Sequence, residues 1–305
     1  MEGTAGKHRR VDSTRARQGP HKGFMRSIPL IHLQYCLLVL LLSAASTAWG
    51  AELQPRTLAA WERYIQFTEQ RIALEVDDGV RFLALDFLPE GQAAALRTRL
   101  QAGQLDIRKL DPTLENGRKI EVDDGMIHHW IGAIFLPGAH LDAVIEWVQD
   151  YDRHAGRFPE VIDSKLLARQ GNTFELYFKV RRKKVITAYY NTYYTAGYHR
   201  KGSHRVFSDS RSTKIAQLEN AETSAETEKP VGNDSGFLWR LNSYWRFEEA
   251  DGGVYVECES VSLSRGIPFG FGWIIGSFVE SVPRESLEST LTSIRDGVAA
   301  ALPAE

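Results

Sequence analysis

The sequence predicts an α+β chain in which an antiparallel sheet is followed by a long C-terminal helix. Six strand-like segments follow one another between residues 162 and 265 with no helix-length pattern separating them, which implies an antiparallel meander rather than alternating parallel units. Downstream, Leu287, Leu291, Ile294 and Val298 recur at i, i+4, i+7 and i+11, so the last helix buries a single stripe. Across 305 residues, 43% hydrophobic and 25% charged content is ordinary globular composition with room for one large or two small domains. That excludes disorder, collagen and coiled coil as descriptions of the whole chain.

Residues 1–50 read as a signal peptide. Leu37 to Leu42 form an apolar core, small residues follow from Ser43 to Ala48, and Ala48 and Gly50 stand at −3 and −1 of a cut before Ala51. Met25 begins a leader of ordinary length, which makes it a candidate true start. Cys36 precedes the apolar core rather than following it, which argues against lipoprotein processing, and Arg9-Arg10 lies too far upstream for a twin-arginine signal. The alternative is an uncleaved N-terminal membrane anchor, but the apolar stretch is shorter than the ~20 residues a spanning helix needs. The expected location is therefore the periplasm or the exterior. The leader carries seven Lys/Arg against two Asp/Glu, so with −2 overall the remainder sits at −7. An acidic body argues against nucleic acid as a partner. Cys258 is the one cysteine left after cleavage, which excludes an intrachain disulfide.

After the leader, Trp61, Tyr64, Ile65, Thr68 and Ile72 recur at near-helical spacing and predict an amphipathic helix over 55–75. Residues 80–88 read as a short strand, 90–101 as a second helix and 104–108 as another strand. With turns at Gly117 and Asp123-Asp124-Gly125, residues 51–125 make an N-terminal α/β extension. The main domain, 126–305, opens with a strand over 126–136 that ends at Pro137-Gly138. A short helix marked by Leu141, Val144, Ile145 and Val148 follows. Strands are then predicted over 162–169, 173–182, 185–194, 205–218, 236–249 and 254–265, with a polar connection at 219–235. Residues 267–301 are mostly helical, with Pro268 and Pro283 at turn or first-turn positions.

The final hairpin can be registered from its loop, Glu249 to Gly253. Pairing outward sets Phe247 opposite Val256, Trp245 opposite Cys258, Ser243 opposite Ser260 and Leu241 opposite Ser262 on a dry face. Arg246 then faces Glu257 and Tyr244 faces Glu259 on a charged face expected to be wet. A slip of one residue would put Trp245 and Phe247 in water, so the register is well specified.

Several constellations with chemical potential carry a plainer reading. His128 and His129 are adjacent on a strand and point to opposite faces, so they cannot easily share one ion. The other histidines lack metal-ligand spacing, and no metal is expected. Cys258 packed opposite Trp245 reads as a small hydrophobe, and neither it nor Ser264 or Ser286 has a nucleophile elbow or a histidine at a recognisable distance. Arg181-Arg-Lys-Lys184 reads as a solvated hairpin tip, with transient contact to an anionic membrane as its functional alternative. Tyr189, Tyr190, Tyr193, Tyr194 and Tyr198 make an aromatic strand whose default use is sheet packing and whose second use is cavity lining. Gly270-Phe-Gly272 lacks the continuation of a dinucleotide loop.

The order strand, helical turn, six antiparallel strands and long helix resembles the START/SRPBCC superfamily, which includes birch-pollen-allergen-like proteins, lipid-transfer domains and polyketide cyclases. Residues 236–248, 253–265 and Pro283-Arg-Glu-Ser-Leu287 look like an exported bacterial branch of it. The likeness covers about 126–301 and leaves 51–125 without a counterpart. It implies a helix-grip fold: a curved sheet wrapped on the C-terminal helix, with a tunnel where the two do not touch. The superfamily has no universal catalytic motif, so no catalytic residue carries over and no cofactor is implied. On this reading Trp239, Ser243, Trp245, Cys258 and Ser260 are expected to line the tunnel. Tyr190 and Arg211 supply polar contacts, and Trp273 sits near the mouth. The serines among them would need partners if buried. The expected function is binding of a hydrophobic or lipid-like small molecule. A cyclase or dehydratase in which Arg211 or Tyr190 moves protons is the second reading, and an envelope interaction module with a closed interior is the third.

Overall fold

Helix α1 (Pro55–Val76) begins on a proline, whose missing N–H costs nothing at a helix start, and buries Trp61, Tyr64, Ile65, Thr68 and Ile72 along one side. The computed structural model of the chain describes residues 51–111, 119–183, 187–266 and 272–302, with 272–280 as backbone only. The leader expected at 1–50 lies outside the described residues, as do Gly117, Lys184, Pro268 and Gly270.

Residues 80–88 do not form the expected strand. They run irregularly into one turn of 3-10 helix, Ala84–Phe87. Phe82 and Leu83 are adjacent and both fully buried, a pattern that strand alternation cannot supply. The Asp86 carboxylate folds back to accept the N–H groups of Phe82 and Leu83, both at 3.0 Å. Helix α2 (Glu90–Gln101) follows as expected, with Leu96 and Leu100 buried.

Strands β1 (Asp106–Lys109) and β2 (Gly125–Pro137) precede helix α3 (Leu141–Gln149). Then come β3 (Val161–Gln170), β4 (Thr173–Lys183), β5 (Thr187–Arg200), β6 (Arg205–Glu219), β7 (Arg240–Ala250) and β8 (Gly253–Arg265), and finally helix α4 (Gly272–Ala301). The hydrogen-bonded order is β1-β2-β8-β7-β6-β5-β4-β3. From β3 to β8 each strand pairs antiparallel with the next, the predicted meander, and β2 closes against the outer side of β8. The polar connection after β6 contributes two-residue strands at Thr227–Glu228 and Asn233–Asp234; the latter pairs with Ala51–Glu52. Pro283 lies inside α4 rather than in its first turn, so one intrahelical hydrogen bond is missing there.

The stripe Leu287, Leu291, Ile294 and Val298 is buried against the sheet, chiefly on β2. Gly132 on β2 makes that seat possible, since a Cβ there would stand 2.5 Å from Leu291 Cδ1. A second close approach occurs at Gly297, where a Cβ would lie 2.3 Å from the Trp147 ring.

The last hairpin has the predicted register at every pair, including Trp245 with Cys258 and Ser243 with Ser260. Its charged face, however, is not wet. Arg246, Glu257 and Glu259 are buried, together with Tyr244. The N-terminal extension covers them: α1 and the 82–88 segment pack there, joined by Trp239, Val261 and Leu263 in one core cluster. The sheet is therefore covered on both sides, by the extension on one and by α4 on the other. Gly50–Glu305 forms a single compact unit.

The buried charges are paired. Arg246 donates to the Phe82 carbonyl at 3.1 Å and to Glu75. Arg71 bridges Glu75 and Glu259. His129 Nε2 donates to Glu259 at 2.6 Å while its Nδ1 meets the Tyr64 hydroxyl at 2.8 Å. Glu257 accepts the backbone N–H groups of Ala84 at 2.5 Å and Leu85 at 3.0 Å, the start of the 3-10 turn.

The two glutamates titrate in opposite directions. Burial lifts the Glu257 carboxyl to about 7, despite the opposing pull of Arg246 and the two N–H groups. Burial would also lift Glu259, but the hydrogen bond and charge of His129 with the charges of Arg71 and Arg246 outweigh it and hold the group at about 2. A raised carboxyl contributes stability that is complete below its unfolded value and lost as pH rises through the folded one. For Glu257 the loss runs from about pH 4.5 to about 7 and amounts to roughly 3 kcal/mol. Glu259 contributes above the ordinary carboxylate range and loses its contribution as pH falls toward 2. Glu257→Gln should accordingly flatten the fall in urea-unfolding free energy between pH 4.5 and 7; a slope equal to that of the unsubstituted protein would refute the assignment.

Candidate ligand-binding cavity

Under α4, where the sheet curves away from the helix, two adjoining lobes remain open. The first, of about 310 Å³, is walled by β8, β7, β5 and α4. The second, of about 250 Å³, is walled by β4, β5, β6 and the Tyr151–Phe158 segment. Leu241, Ser243 and Trp245 of β7 and Ser286 and Thr290 of α4 line both, so the lobes meet across the middle of the sheet.

Strand alternation decides what faces this space. On β8 the inward series is Cys258, Ser260, Ser262 and Ser264, three hydroxyls in a row beside a thiol. On β5 Tyr190 enters the first lobe, and Tyr194, Ala196 and Tyr198 enter the second. Of the expected site residues, Tyr190, Ser243, Trp245, Cys258 and Ser260 are thus brought together. Two are not. Arg211 lies on the opposite side of the sheet, because Ser208 and Ser210 take the inward positions of β6; it bonds Glu69 of α1 at 3.0 Å. Trp239 stands one residue before β7 begins, escapes its alternation and packs in the core under the extension, donating Nε1–H to Asp234 at 3.1 Å. The side chain of Trp273 lies outside the described residues.

His128, read from sequence as structural, borders the first lobe, and Ser264 Oγ meets its Nε2 at 2.9 Å. Ser264 gives its own proton to the Arg265 carbonyl at 3.2 Å, so it accepts from His128. That arrangement leaves the histidine as donor and the serine without a base. The neighbouring His129 points to the other face, as its adjacency requires. Of the basic run, Arg182 turns toward the first lobe and pairs with Glu160, whose second oxygen accepts from Ser286 at 2.9 Å. Nothing but β-strand parity points to these residues in the sequence, and parity needs the strand limits to within one residue.

Several titratable groups of the lining are held neutral. Burial pushes the Cys258 thiol well above its ordinary value, which disfavours a thiolate nucleophile. His154 is pulled down to about 4 by burial, stacks on Phe178 with ring centroids 5.4 Å apart, and donates Nε2–H to the Val148 carbonyl at 3.0 Å. Burial likewise raises Tyr194 and Tyr198 to about 12, and Tyr198 shares a 2.8 Å hydrogen bond with Tyr151. Among the described residues no group of three or more metal-ligating side chains is gathered. The walls offer apolar surface, aromatic rings and hydroxyls, with Glu160, Arg182, Lys183 and Arg265 bordering the first lobe, which suits binding of a hydrophobic molecule with a polar part.

A meander of antiparallel strands, completed by a strand from before it and folded around a long C-terminal helix with a cavity between them, decides the architecture. The chain has the helix-grip fold. The resemblance to START/SRPBCC-type proteins holds at that level. No family model matches the helix-grip chain, and no curated protein does. Among solved structures it is similar to a protein of Thermus thermophilus, at 16% identity and a TM-score of 0.41 over 57% of this chain and 98% of that one. It is similar to a STAR-related lipid transfer protein from Xanthomonas axonopodis, at 16% identity and a TM-score of 0.42 over 59% and 96%. The Zhui aromatase/cyclase from a Streptomyces species gives 12% identity and a TM-score of 0.41 over 59% and 98%.

Proposed function

We propose that this is an exported protein that binds a hydrophobic or lipid-like small molecule between its sheet and its C-terminal helix. The observation that carries the reading is the pair of adjoining lobes, about 310 and 250 Å³, whose walls are chiefly aliphatic, aromatic and hydroxyl groups, with charged side chains at the border of the first. An alkyl chain entering them gains ~0.8 kcal/mol per buried methylene, enough for useful affinity without further chemistry. Export is supported by the leader pattern at 1–50. Transient membrane contact is supported by Arg181 and Lys183, both exposed at the end of β4 beside the first lobe. Among the described residues no helix is long and apolar enough to cross a membrane.

Of the two proton-transfer groups in the cyclase reading, Arg211 lies on the side of the sheet away from the lobes, bonded to Glu69, and Tyr190 lines the first lobe. The reading of an interaction module requires an interior filled by side chains, which the two lobes oppose.

Native mass spectrometry of protein purified from an exporting host tests both halves of the proposal. The expected result is a polypeptide beginning at Ala51 that carries a releasable hydrophobic molecule. An apo mass that stays apo after incubation with lipid extract would remove the binding half, and a mass retaining residues before Ala51 would remove the cleavage site.

A further inference from the structure

Asp234 carries a carboxylate oxygen whose need no described residue meets. The side chain is 2% exposed; its Oδ1 accepts from Gly236 N at 2.6 Å and from Trp239 Nε1 at 3.1 Å, while Oδ2 has no hydrogen-bond partner among the described residues. A buried carboxylate in that state weakens the folded protein unless a donor or a cation comes to it. The two cations whose charges reach it make no ion pair with it: Lys229 is bonded to Glu219 at 3.2 Å, and the Arg265 guanidinium stands over the Phe237 ring, 5.6 Å from its centroid. Directly across from Asp234 lies Ala51, its register partner in the two-residue ladder. Leu53 N–H donates to the Gly232 carbonyl at 2.6 Å, so parity makes Ala51, two residues back, the next hydrogen-bonded position, with its N–H directed at the Asp234 carbonyl. The Ala51 side chain also reaches Gly236, where an added Cβ would stand 2.9 Å from it. Ala51 is the first residue after the cut expected from the leader pattern.

We propose that removal of the leader before Ala51 also locks the fold: the α-ammonium group it creates pairs with the buried Asp234 carboxylate and ties the new terminus to the rim of the first lobe. The inference rests on the export and cleavage proposed above. Before cleavage the Ala51 nitrogen is an amide with a single proton, which the ladder takes. Hydrolysis by a signal peptidase adds water across the Gly50–Ala51 bond, leaving a carboxylate on Gly50 and an amine on Ala51 that gains a proton from solvent. The resulting ammonium has three protons, so one can keep the ladder bond while another serves Oδ2. A charge-assisted pair of this kind is stronger than a neutral hydrogen bond, most of all out of water. Burial lifts the Asp234 carboxyl above its ordinary value, and a cation at Oδ2 offsets what burial costs. Because Gly236, which lines the first lobe, donates to the same carboxylate, the lock fixes the chain where it forms that rim.

The test is a double-mutant cycle on the protein beginning at Ala51, made with a free α-amine or with that amine acetylated, each with Asp234 and with Asp234→Asn. Acetylation restores an amide at the same atom, and the asparagine keeps an acceptor for Gly236 and Trp239 without the charge. Urea unfolding is read at about pH 6.5, where an α-amine is charged. With Asp234 present the free amine should lower the unfolding constant about ten- to a hundredfold, the range of a buried hydrogen bond to a charged group, and with Asp234→Asn the two forms should agree within about twofold. Equal stability of the two forms with Asp234, or the same difference in both backgrounds, overturns the lock. Should Asp234→Asn not fold, the amine alone decides: by NMR it should titrate above the ordinary range of about 7.7–8.0, and a value within that range overturns the pairing. Residues retained before Ala51 on the exported protein overturn the cleavage site and the lock with it, whereas a flat cycle overturns the lock alone.

Discussion

Arg246→Ala is expected to destabilise the protein by about 3–5 kcal/mol, the cost of leaving buried charges without their partner. Arg246 is 2% exposed, pairs with Glu75, reaches the Phe82 carbonyl, and bears on both Glu257 and Glu259. Its removal takes one of two arginine partners from Glu75 and withdraws a nearby positive charge from Glu257 and Glu259, at the seam between the N-terminal extension and the sheet. Since Arg246 opposes the rise of Glu257, the variant should also lose stability more steeply than its parent as pH climbs through neutrality. Urea unfolding at pH 5 and pH 7 reads both effects. Arg246→Met, which keeps much of the stem but not the charge, separates electrostatics from packing. A loss under ~1 kcal/mol for the alanine variant would mean that the seam is held by apolar contacts alone.

Ser243→Leu combined with Ser260→Leu is expected to abolish ligand uptake while the protein stays folded. The two serines are direct cross-strand partners, both line the first lobe, and Ser243 also borders the second. Two leucines side by side would occupy the junction through which a tail must pass. They would grow into open space rather than into packed atoms, so the usual penalty for overpacking should be small. Circular dichroism and a melting curve check the fold, and lipid extracted from the purified variant checks the uptake. Uptake equal to that of the parent would show that the ligand lies elsewhere.

The architecture is legible in the sequence because its signals are local. A period of two marks the strands, the loop at Glu249 to Gly253 sets the last register, and the spacing of Leu287, Leu291, Ile294 and Val298 marks the buried side of the helix. What sits on the far side of the sheet is not legible. Arg246, Glu257 and Glu259 have the composition of a solvent face, and the residues that cover them come from a segment more than a hundred positions earlier. Periodicity reports that two faces differ, and it does not report that both are covered. The misplaced site residues have equally specific causes: the inward places of β6 are Ser208 and Ser210, which excludes Arg211, and β7 starts at Arg240, which excludes Trp239. His128 could have been found by carrying the register one strand further, since it pairs with Ser262. The run at 80–88 misleads because its apolar residues read as a short strand, while the turn that buries both Phe82 and Leu83 depends on the Asp86 carboxylate folding back to their N–H groups.

The pairing of β2 with β8 joins segments more than a hundred residues apart, and α4 can seat on β2 only after that pairing exists. Contacts of such long sequence separation form slowly, because loop-closure entropy is lost before any of them is rewarded. The hairpins from β3 to β8, which wall both lobes, can assemble from neighbours, but α4 gains its seat on β2 only when the two ends of the domain meet. A chain halted before that step would hold most of its sheet without the helix seated on it, with the serine-lined side of β8 and the bare stripe of α4 both facing solvent. In this topology, covering the cavity and completing the fold depend on the same long-range pairing.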